Sequence, residues 1–555
     1  MRFSHYDLLV ASVGVPVLVS MLTGAAIIVI VVTLHSSAIQ ARVKQVLSFM
    51  INIILLRCNP IKHIEQSMNL PTLPYHFPNG QGNVEKFLKG RKNSEKWERE
   101  YGSLYRLWSG MKGEIVLTKT AHVEAIFKDS HNHIKAPAND SGYLMNQLLG
   151  SCLGLISGQS WSAVKSSVEA PFSRRSIGPC IHDVQHFTSE YMRRLSNEND
   201  TFGKEGKLQP VHDLKLLPFS FIAKVVYGPL SQKLERELMD LVPPREAVFR
   251  AVISGGLTRF AISRFLHLPA IRALRDFKDR WARWNDRAHA HAQSLEESGG
   301  RSAPIIGIYR AVKNGEMTRE QLLQTLDEIL FANIDVTMGG LSWAIVFIAA
   351  NSAVQEALRS EIREHSFDSA TRDAYLRSSW NTTPTLLGAC IMEAARLRPV
   401  AAFSVPQACP SPRILDGFEI PAGTNFVIDS YALNIRDPFW GLDGDRYRPE
   451  RWLELHEDGR DLRYRYWRFG FGPRTCLGKY LADLILRSVV IEIVEHWKVK
   501  LDETAKEDEK VVDKDVSMVS NPVMNWPWDD ELWIHSPDLL LKCEPLSKPL
   551  PRTPT

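Results

Sequence analysis

The distribution of apolar and charged positions separates an N-terminal membrane segment from a long folded body. Leu8 to Leu34 is a run of 27 residues without a charged side chain. As a helix it would cover about 40 Å at 1.5 Å per residue, more than the roughly 30 Å hydrocarbon core of a bilayer. It is also longer than the apolar region of a cleaved signal peptide. We therefore predict a retained transmembrane anchor at 8–34, after a short lumenal N-terminus at 1–7.

Residues 35–80 predict an interfacial segment followed by a stiff tether. The second apolar run, 46–56, is too short to span alone, so we expect it to lie on the membrane, with a second span as the alternative. More lysines and arginines follow the anchor than precede it, which places the body in the cytosol. The tether contains residues that cannot continue a helix, namely Pro71, Pro74, Pro78 and Gly80.

The body, residues 81–545, predicts one mainly α domain with small β-sheets, an α+β fold. Two alternating runs, SLYRLWSG and GEIVLTK, predict strands, and the pattern from about 140 to 400 is helical. Thr318 and Gln321 form a capping box that starts a helix reaching about Ala350. Its second half is so apolar that it must cross the interior. The proline-rich end, 546–555, predicts a disordered tail.

Two further elements are predicted near residue 400. The stretch NTTPTLLGACIMEAARLRP predicts a helix capped by Thr383, with Pro384 in its first turn and Pro399 ending it. FEIPAGTNFVIDSYALN predicts a hairpin with a Pro-Ala-Gly turn.

Composition and charge exclude several classes of function. The chain is 44% hydrophobic with a net charge of +4, and no basic stripe is interleaved with aromatic residues, so nucleic acid is not an expected partner. Seven scattered cysteines without a C-x-x-C pair indicate a reducing compartment. The sequence contains no HExxH, P-loop, G-x-S-x-G or Rossmann fingerprint, so we expect flavin and nicotinamide sites on a separate protein.

One cysteine stands apart, in FGFGPRTCLGKYLADLILR. Cys476 comes just before an amphipathic helix, whose N–H groups and dipole favour a thiolate. A thiolate is an axial ligand that favours O–O cleavage at haem iron. Gly472 and Gly478 allow a positive-φ turn and a close approach to a flat macrocycle, and Arg474 is a fork suited to a haem propionate. A lone cysteine is more often a core residue than a metal ligand, so the residues around Cys476 must distinguish the two roles.

Those residues match a complete motif, F-x-x-G-x-R-x-C-x-G, at Phe469, Gly472, Arg474, Cys476 and Gly478. The chain thus resembles the cytochrome P450 family, microsomal type, over roughly residues 70–545. The resemblance implies that fold, haem b with Cys476 as the iron ligand, and monooxygenase chemistry on O2. It also implies a single-pass endoplasmic reticulum protein in contact with membrane lipid. NADPH-cytochrome P450 reductase, with its NADPH and flavins, and cytochrome b5 are the implied electron donors.

Other family motifs follow in order. Glu393 and Arg396 match E-x-x-R, and Arg451 is the arginine of P-x-R-W, which together resemble the family's buried structural clamp. Trp161 and Lys165 resemble W-x-x-x-R, whose members hold a propionate, with Lys replacing Arg. Core packing remains the alternative for Trp161.

The oxygen-side motif departs from the family pattern. Asp335 falls on the acid position, but Val336 stands at the usual threonine and Asn333 at the usual glycine. Proton delivery to bound oxygen needs a hydroxyl or an ordered water nearby. Three sources are open: Thr337, which lies one residue on and about 100° round the helix and would serve after a small rotation, a water held by Asn333, or the substrate itself. We expect Asp335, Thr337 and Asn333 to form the catalytic group.

The resemblance is to fungal members that modify specialised metabolites, which indicates a mostly apolar small molecule derived from an amino acid or a cyclic dipeptide. Two alternatives stay open: a haem-thiolate isomerase or dehydratase without O2 activation, and a non-enzymatic haem-binding membrane protein. Three segments predict pocket lining, with ordinary packing as the alternative: 401–410, Ser141–Leu149 and 525–533.

Overall fold

A computed structural model describes residues 37–82, 84–135, 142–378, 383–502 and 539–546. Several predicted segments lie outside these residues: the lumenal N-terminus and anchor at 1–34, the pocket-lining segment 525–533, and all of the predicted tail except its first residue. The described part of the chain begins at Ser37, within the predicted interfacial segment.

The helices account for most of the body between the tether and the C-terminal strands. In chain order they are α1 Ser37–Cys58, α2 Gly90–Tyr101, α3 Thr120–Phe127, α4 Tyr143–Leu149, α5 Gly158–Val168, α6 Arg174–Ile177, α7 Ile181–Glu198, α8 Asp200–Gly203, α9 Pro210–Leu214, α10 Leu216–Tyr227, α11 Gln232–Met239, α12 Val242–Ser254, α13 Pro269–Glu297, α14 Pro304–Lys313, α15 Arg319–Leu330, α16 Ala332–Ala350, α17 Ser352–Glu364, α18 Ser369–Arg377, α19 Leu386–Leu397, α20 Glu450–Glu457 and α21 Lys479–His496.

The strands form small sheets beside these helices, which confirms the predicted fold class. They are β1 Leu104–Ser109, β2 Lys112–Leu117, β3 Ile134–Lys135, β4 Lys207–Leu208, β5 Gln407–Ala408, β6 Arg413–Leu415, β7 Phe418–Ile420, β8 Asn425–Ile428, β9 Trp497–Leu501 and β10 Leu541–Pro545. The largest sheet has the order β1-β2-β8-β5-β3, with β2 and β8 parallel and the other pairs antiparallel. A second sheet has the order β4-β10-β9.

The interior helix is formed by α15 and α16, which are separated only by Phe331. Thr318 caps it as predicted: its hydroxyl accepts from the Gln321 amide at 3.1 Å, and the Gln321 side chain accepts from the Thr318 amide at 2.8 Å. Residues 319–350 are apolar enough to span a membrane, but they lie mostly inside the protein. They belong to the main hydrophobic core.

The cap of α19 differs from the sequence prediction. Thr385 is the cap, not Thr383, and its hydroxyl accepts from the Gly388 amide at 3.1 Å. Glu361, 25 residues earlier, accepts from the Leu386 and Leu387 amides at 2.7 and 3.0 Å. The shift has a tertiary cause, because a carboxylate from α17 satisfies the first amides of the helix. The helix still ends just before Pro399.

The predicted hairpin across the Pro-Ala-Gly turn is wrong. The hairpin is formed by β6 and β7, and its turn contains Asp416 and Gly417, both at positive φ. β8 instead pairs with β2 and β5 in the large sheet. A tight turn with two positive-φ residues matches the twist of two antiparallel strands. The Asp416-Gly417 turn meets this requirement, so the hairpin forms there and not at the Pro-Ala-Gly turn.

The second apolar run belongs to a longer helix than the sequence predicts. α1 has 22 residues and is long enough to span, but it is scarcely buried in the protein. One face binds the tether: Asn52 Oδ1 accepts from the Tyr75 amide at 3.0 Å, and Ser48 Oγ accepts from the Phe77 amide at 2.9 Å. Its outer face exposes apolar side chains, among them Phe49 and Met50.

Candidate active site

The loop before α21 has the shape that its glycines predict. Gly472 adopts a φ of +68°, and a Cβ there would meet the Ser130 hydroxyl oxygen at 2.0 Å. The loop closes on itself where the Cys476 amide donates to the Phe469 carbonyl at 2.8 Å. At Gly478 a Cβ would meet no protein atom within 4 Å, so this residue borders open space. The loop thus presents the Cys476 thiol beside an accessible face.

The Cys476 thiol lies deep in the protein and yet is exposed to solvent, which places it on an internal cleft. Burial raises the pKa of Cys476, although the Gly478 amide and the Lys479 and Arg468 cations act in the opposite direction. Burial, which favours the neutral thiol, therefore outweighs the amide and the cations at the start of the helix, which favour the thiolate. A bound metal ion would reverse this balance, because a coordinating thiol is deprotonated.

A group of cations adjoins the same cleft. The Arg474 guanidinium carbon lies 4.1 Å from the centre of the Trp161 ring, and Lys165 Nζ lies 5.0 Å from it. Arg474 donates to the Ile156 carbonyl at 2.9 Å and to Ser157 Oγ at 3.3 Å. No carboxylate of the described residues is ion-paired with Arg474. Burial lowers its pKa to about 10, and this half-buried cation is placed where it can bind an anionic group in the cleft.

Lys135 is a member of this group that sequence reasoning missed. Burial, and then the Arg474 charge, lower the pKa of Lys135 to about 8. Its backbone amide donates at 2.8 Å to Ser157 Oγ, the same hydroxyl that binds Arg474. Lys135 ends a two-residue strand far from any family motif, so the sequence offered no signal for it.

The predicted clamp residues meet in the structure. Glu393 and Arg396 are fully buried, and Arg451 Nε lies 3.4 Å from Glu393 Oε1. The Trp452 indole also donates to Glu393 Oε2 at 2.9 Å. Arg396 continues to the carbonyls of Asn434 and Gly444 at 2.9 and 2.6 Å. The clamp therefore joins α19 to the segment that leads into the Cys476 loop.

On the interior helix, Val336 faces the cleft with 38% of its surface exposed, whereas Thr337 is buried at 7%. Asp335 Oδ1 lies 3.8 Å from Lys215 Nζ. Asn333 Nδ2 donates to the carbonyls of Glu328 and Ile329 at 2.9 and 3.1 Å, across the interruption at Phe331. The structure thus places all three predicted catalytic residues near one turn, with Thr337 directed away from the cleft.

The predicted pocket-lining segments are mostly packed. In α4, Leu144, Leu148 and Leu149 belong to the hydrophobic core. Residues 401–410 are largely buried and contribute β5 to the sheet. Ser141 lies outside the described residues.

These residues fit a haem. The thiol, the glycine borders, and the half-buried Arg474 and Lys135, which have no ion pair among the described residues, suit an iron porphyrin with two propionates, whereas Lys165 already lies 3.6 Å from Glu169 Oε2. Cys476 would bind the iron, and Arg474 with Trp161 and Lys165 would hold a propionate. The comparison with known families then decides the identity: the cytochrome P450 family profile matches residues 81–524. The chain belongs to the cytochrome P450 family.

Relatives of this cytochrome P450 come from fungi. It is 44% identical to cytochrome P450 monooxygenase aclC of Aspergillus oryzae, over 87% of this chain and 93% of the relative. It is 41% identical to cytochrome P450 monooxygenase asaD of Aspergillus flavus, over 92% of this chain and 94% of the relative. It is 34% identical to cytochrome P450 monooxygenase gliC of Aspergillus fumigatus, over 91% of this chain and 94% of the relative.

Solved structures agree on the fold. The retinoic acid-bound cyanobacterial CYP120A1 superposes with a TM-score of 0.64 at 16% identity, covering 86% of this chain and 99% of that one. A zebrafish cytochrome P450 with abiraterone superposes with a TM-score of 0.60 at 17% sequence identity. The match covers 82% of this chain and 98% of the zebrafish chain. With its fungal relatives, this places the chain among the haem-thiolate monooxygenases of fungal secondary metabolism. The isomerase or dehydratase and the non-enzymatic alternatives gain no support from these comparisons.

Proposed function

We propose that this cytochrome P450 is anchored in the endoplasmic reticulum membrane as a single-pass protein with a cytosolic domain, and oxidises an amino-acid-derived or cyclic-dipeptide metabolite. The observation that carries the proposal is the Cys476 thiol on an internal cleft beside Arg474, a half-buried cation without an acidic partner among the described residues. Bound haem would supply reductive activation of O2. One substrate, one O2, two electrons from NADPH and two protons give one oxygenated product, one water and NADP+.

The residues around the cleft divide the remaining work. Cys476 is proposed as the axial ligand, and Phe469, Gly472 and Gly478 shape the loop that presents it. Arg474, Trp161 and Lys165 are proposed to hold a propionate, with Lys135 as a further cation. In the proposed clamp, Glu393, Arg396 and Arg451 fix the loop from behind and have no part in the chemistry.

Proton supply is proposed to depend on Asp335, Asn333 and Thr337. Asp335 sits between Lys215 and the cleft-facing turn, which suits exchange with solvent. The Asn333 amide nitrogen is bound to helix carbonyls, and its oxygen, which accepts no hydrogen bond from the described residues, can accept from a water or a substrate hydroxyl. Thr337 is buried, so it would contribute only after the helix rotates.

Membrane attachment is supported by exposed apolar side chains near the tether. Leu257, Ile262 and Phe265, between α12 and α13, are each more than 60% exposed. Phe260 in the same segment stacks on Phe77 of the tether, with ring centres 6.2 Å apart. Together with the outer face of α1, these side chains form an apolar surface beside the tether, which suits contact with membrane lipid.

Electron transfer is proposed to come from NADPH-cytochrome P450 reductase, with cytochrome b5 as a second donor, at the surface behind Cys476. Gly472 and Pro473 are exposed there, so a partner could approach the loop closely. The short helix α6 packs against α21 and exposes Arg174 and Arg175. These cations suit a partner with an acidic face.

The proposal is tested with microsomes that contain the full chain. We expect a reduced carbonyl adduct with the red-shifted Soret band of sulfur ligation, and its loss in Cys476→Ser. With added reductase and NADPH, a panel of cyclic dipeptides should yield a product heavier by one oxygen atom. Turnover without NADPH would instead favour an isomerase or dehydratase, and a chain without haem would end the proposal.

A further inference from the structure

A stripe of the interior helix lines the cleft. Glu328, Ala332, Val336 and Gly340 keep partial or full solvent exposure, while most of their neighbours on the helix are buried. These four positions follow i, i+4 spacing, so they lie on one face. Because the helix crosses the interior, their exposure must come from a cleft rather than from the outer surface. Three of the four residues are apolar or lack a side chain, and Glu328 is the exception.

Glu328 is held firmly in this position. Its Oε2 accepts from the Gly154 amide at 3.0 Å, and the Cys152 thiol is a second hydrogen-bond partner. Burial raises the pKa of Glu328. A carboxylate has about four acceptor positions, so these two contacts leave room for further donors. The side chain is fixed by the segment before α5 and still faces the cleft.

Glu328 also lacks the ion pair that the other acids of this helix possess. Glu320 Oε1 lies 3.7 Å from Lys278, Asp327 Oδ1 lies 2.8 Å from Arg245, and Asp335 Oδ1 lies 3.8 Å from Lys215. Among the described residues, no cation comes within ion-pair distance of Glu328.

Besides its chain neighbour Asp327, Glu328 interacts with two ionisable groups of the cleft. Lys135 and Cys476 both lie close enough to interact with it electrostatically. The carboxylate therefore stands on the same cleft as the proposed iron ligand. A buried carboxylate without a cationic partner is costly unless donors satisfy it.

We propose that Glu328 is a specificity-determining residue that accepts a hydrogen bond from a lactam or amine N–H of the substrate. This inference rests on the proposed function and narrows its substrate class to molecules that combine an N–H donor with an apolar remainder. The N–H would bind at Glu328, and the apolar part would lie along Ala332, Val336 and Gly340, next to the cleft face of Cys476.

The test uses the purified full-length holoenzyme and a pair of probes, cyclo(Phe-Phe) and its N,N′-dimethyl derivative, titrated by the change in haem absorption. A hydrogen bond to a charged group favours the N–H compound by about tenfold or more. We expect that preference in the wild type, and a fall to about two- to threefold in Glu328→Gln. Glu320→Gln, an exposed acid of the same helix, should keep the wild-type preference. Comparing ratios across variants removes the steric effect of the methyl groups.

If Glu328→Gln fails to retain haem, Glu328→Asp is tested instead. This variant keeps the carboxylate, but its side chain is shorter by one CH2, so the carboxylate lies farther from the substrate. We expect an intermediate preference. An unchanged preference in the variants, or no preference or response in the wild type, would overturn the inference. The reduced carbonyl spectrum is recorded first: absence of the sulfur-ligated band is a failure of the proposed function, whereas a normal band without N–H discrimination is a failure of this inference alone.

Discussion

Glu393 and Arg396 bind each other through two hydrogen bonds of 2.8 Å, and neither side chain is exposed to solvent. Arg451 and the Trp452 indole complete the surroundings of the carboxylate. Removal of one partner from such a group leaves a buried charge without compensation, which costs far more than an exposed pair contributes.

We therefore expect Glu393→Gln to destabilise the protein by about 3–5 kcal/mol. Urea unfolding of the full chain in detergent, followed by circular dichroism, measures the change. Glu95→Gln is the matched control, since Glu95 pairs with Arg99 at 2.7 Å on the surface; its effect should stay below about 1 kcal/mol. Equal effects of both variants would contradict the clamp.

Gly472→Ala should disrupt the Cys476 loop. The new Cβ would have an unfavourable φ and would collide with Ser130, whereas at Gly459, also at positive φ, it would meet no atom within 4 Å. We expect Gly472→Ala to lose most of its bound haem and Gly459→Ala to cost only about 1 kcal/mol of strain. Haem absorbance per polypeptide measures the difference, and full haem content in Gly472→Ala would refute the packing argument.

Arg474→Lys should weaken haem retention, because a lysine loses both the fork that binds Ile156 and Ser157 and the planar contact with Trp161. We expect transfer of haem to excess apomyoglobin to accelerate by about tenfold. Arg463→Lys, at an exposed position, is the control and should transfer haem at the wild-type rate.

Stability should decline on the acid side partly through His133. Burial lowers the pKa of His133 below the ordinary histidine value. The unfolded chain then binds the proton more readily than the folded protein, so the contribution is full above about pH 6.5 and is lost as the pH falls toward the folded-state pKa. His133→Gln should flatten this decline in thermal unfolding, whereas His131→Gln, at an exposed residue, should not. A steeper decline in His133→Gln would contradict the sign.

The proposed proton supply predicts a ranking. Asp335→Asn and Asn333→Ala should each increase hydrogen peroxide released per NADPH by several-fold, because both alter the cleft-facing turn. Thr337→Val should have the smallest effect, since its side chain is buried at 7% exposure. Peroxide and NADPH are measured in the reconstituted system, and a dominant effect of Thr337→Val would show that the helix rotates during turnover.

Much of the site could be predicted because its residues are close in the chain. The iron ligand, its glycines and Arg474 fall within ten residues, and the clamp pair lies on one helical turn, so local spacing alone indicates their chemistry. The same holds for the Thr318 capping box, whose two partners are three residues apart. The contribution of Arg451, 55 residues beyond Arg396, depended on family resemblance.

Other features were decided only by the tertiary structure, for a common physical reason. Lys135 approaches Arg474 across more than 300 residues, and Glu361 caps α19 from another helix, so no local pattern encodes either contact. The cleft-facing side of the interior helix could not be predicted from the sequence either, because Glu328, Val336 and Thr337 lie in one continuous helical pattern that does not show which residues face a cleft. The sequence by itself determined which residues can perform thiolate-haem chemistry, whereas long-range packing determined which side chains reach the cleft and which are buried.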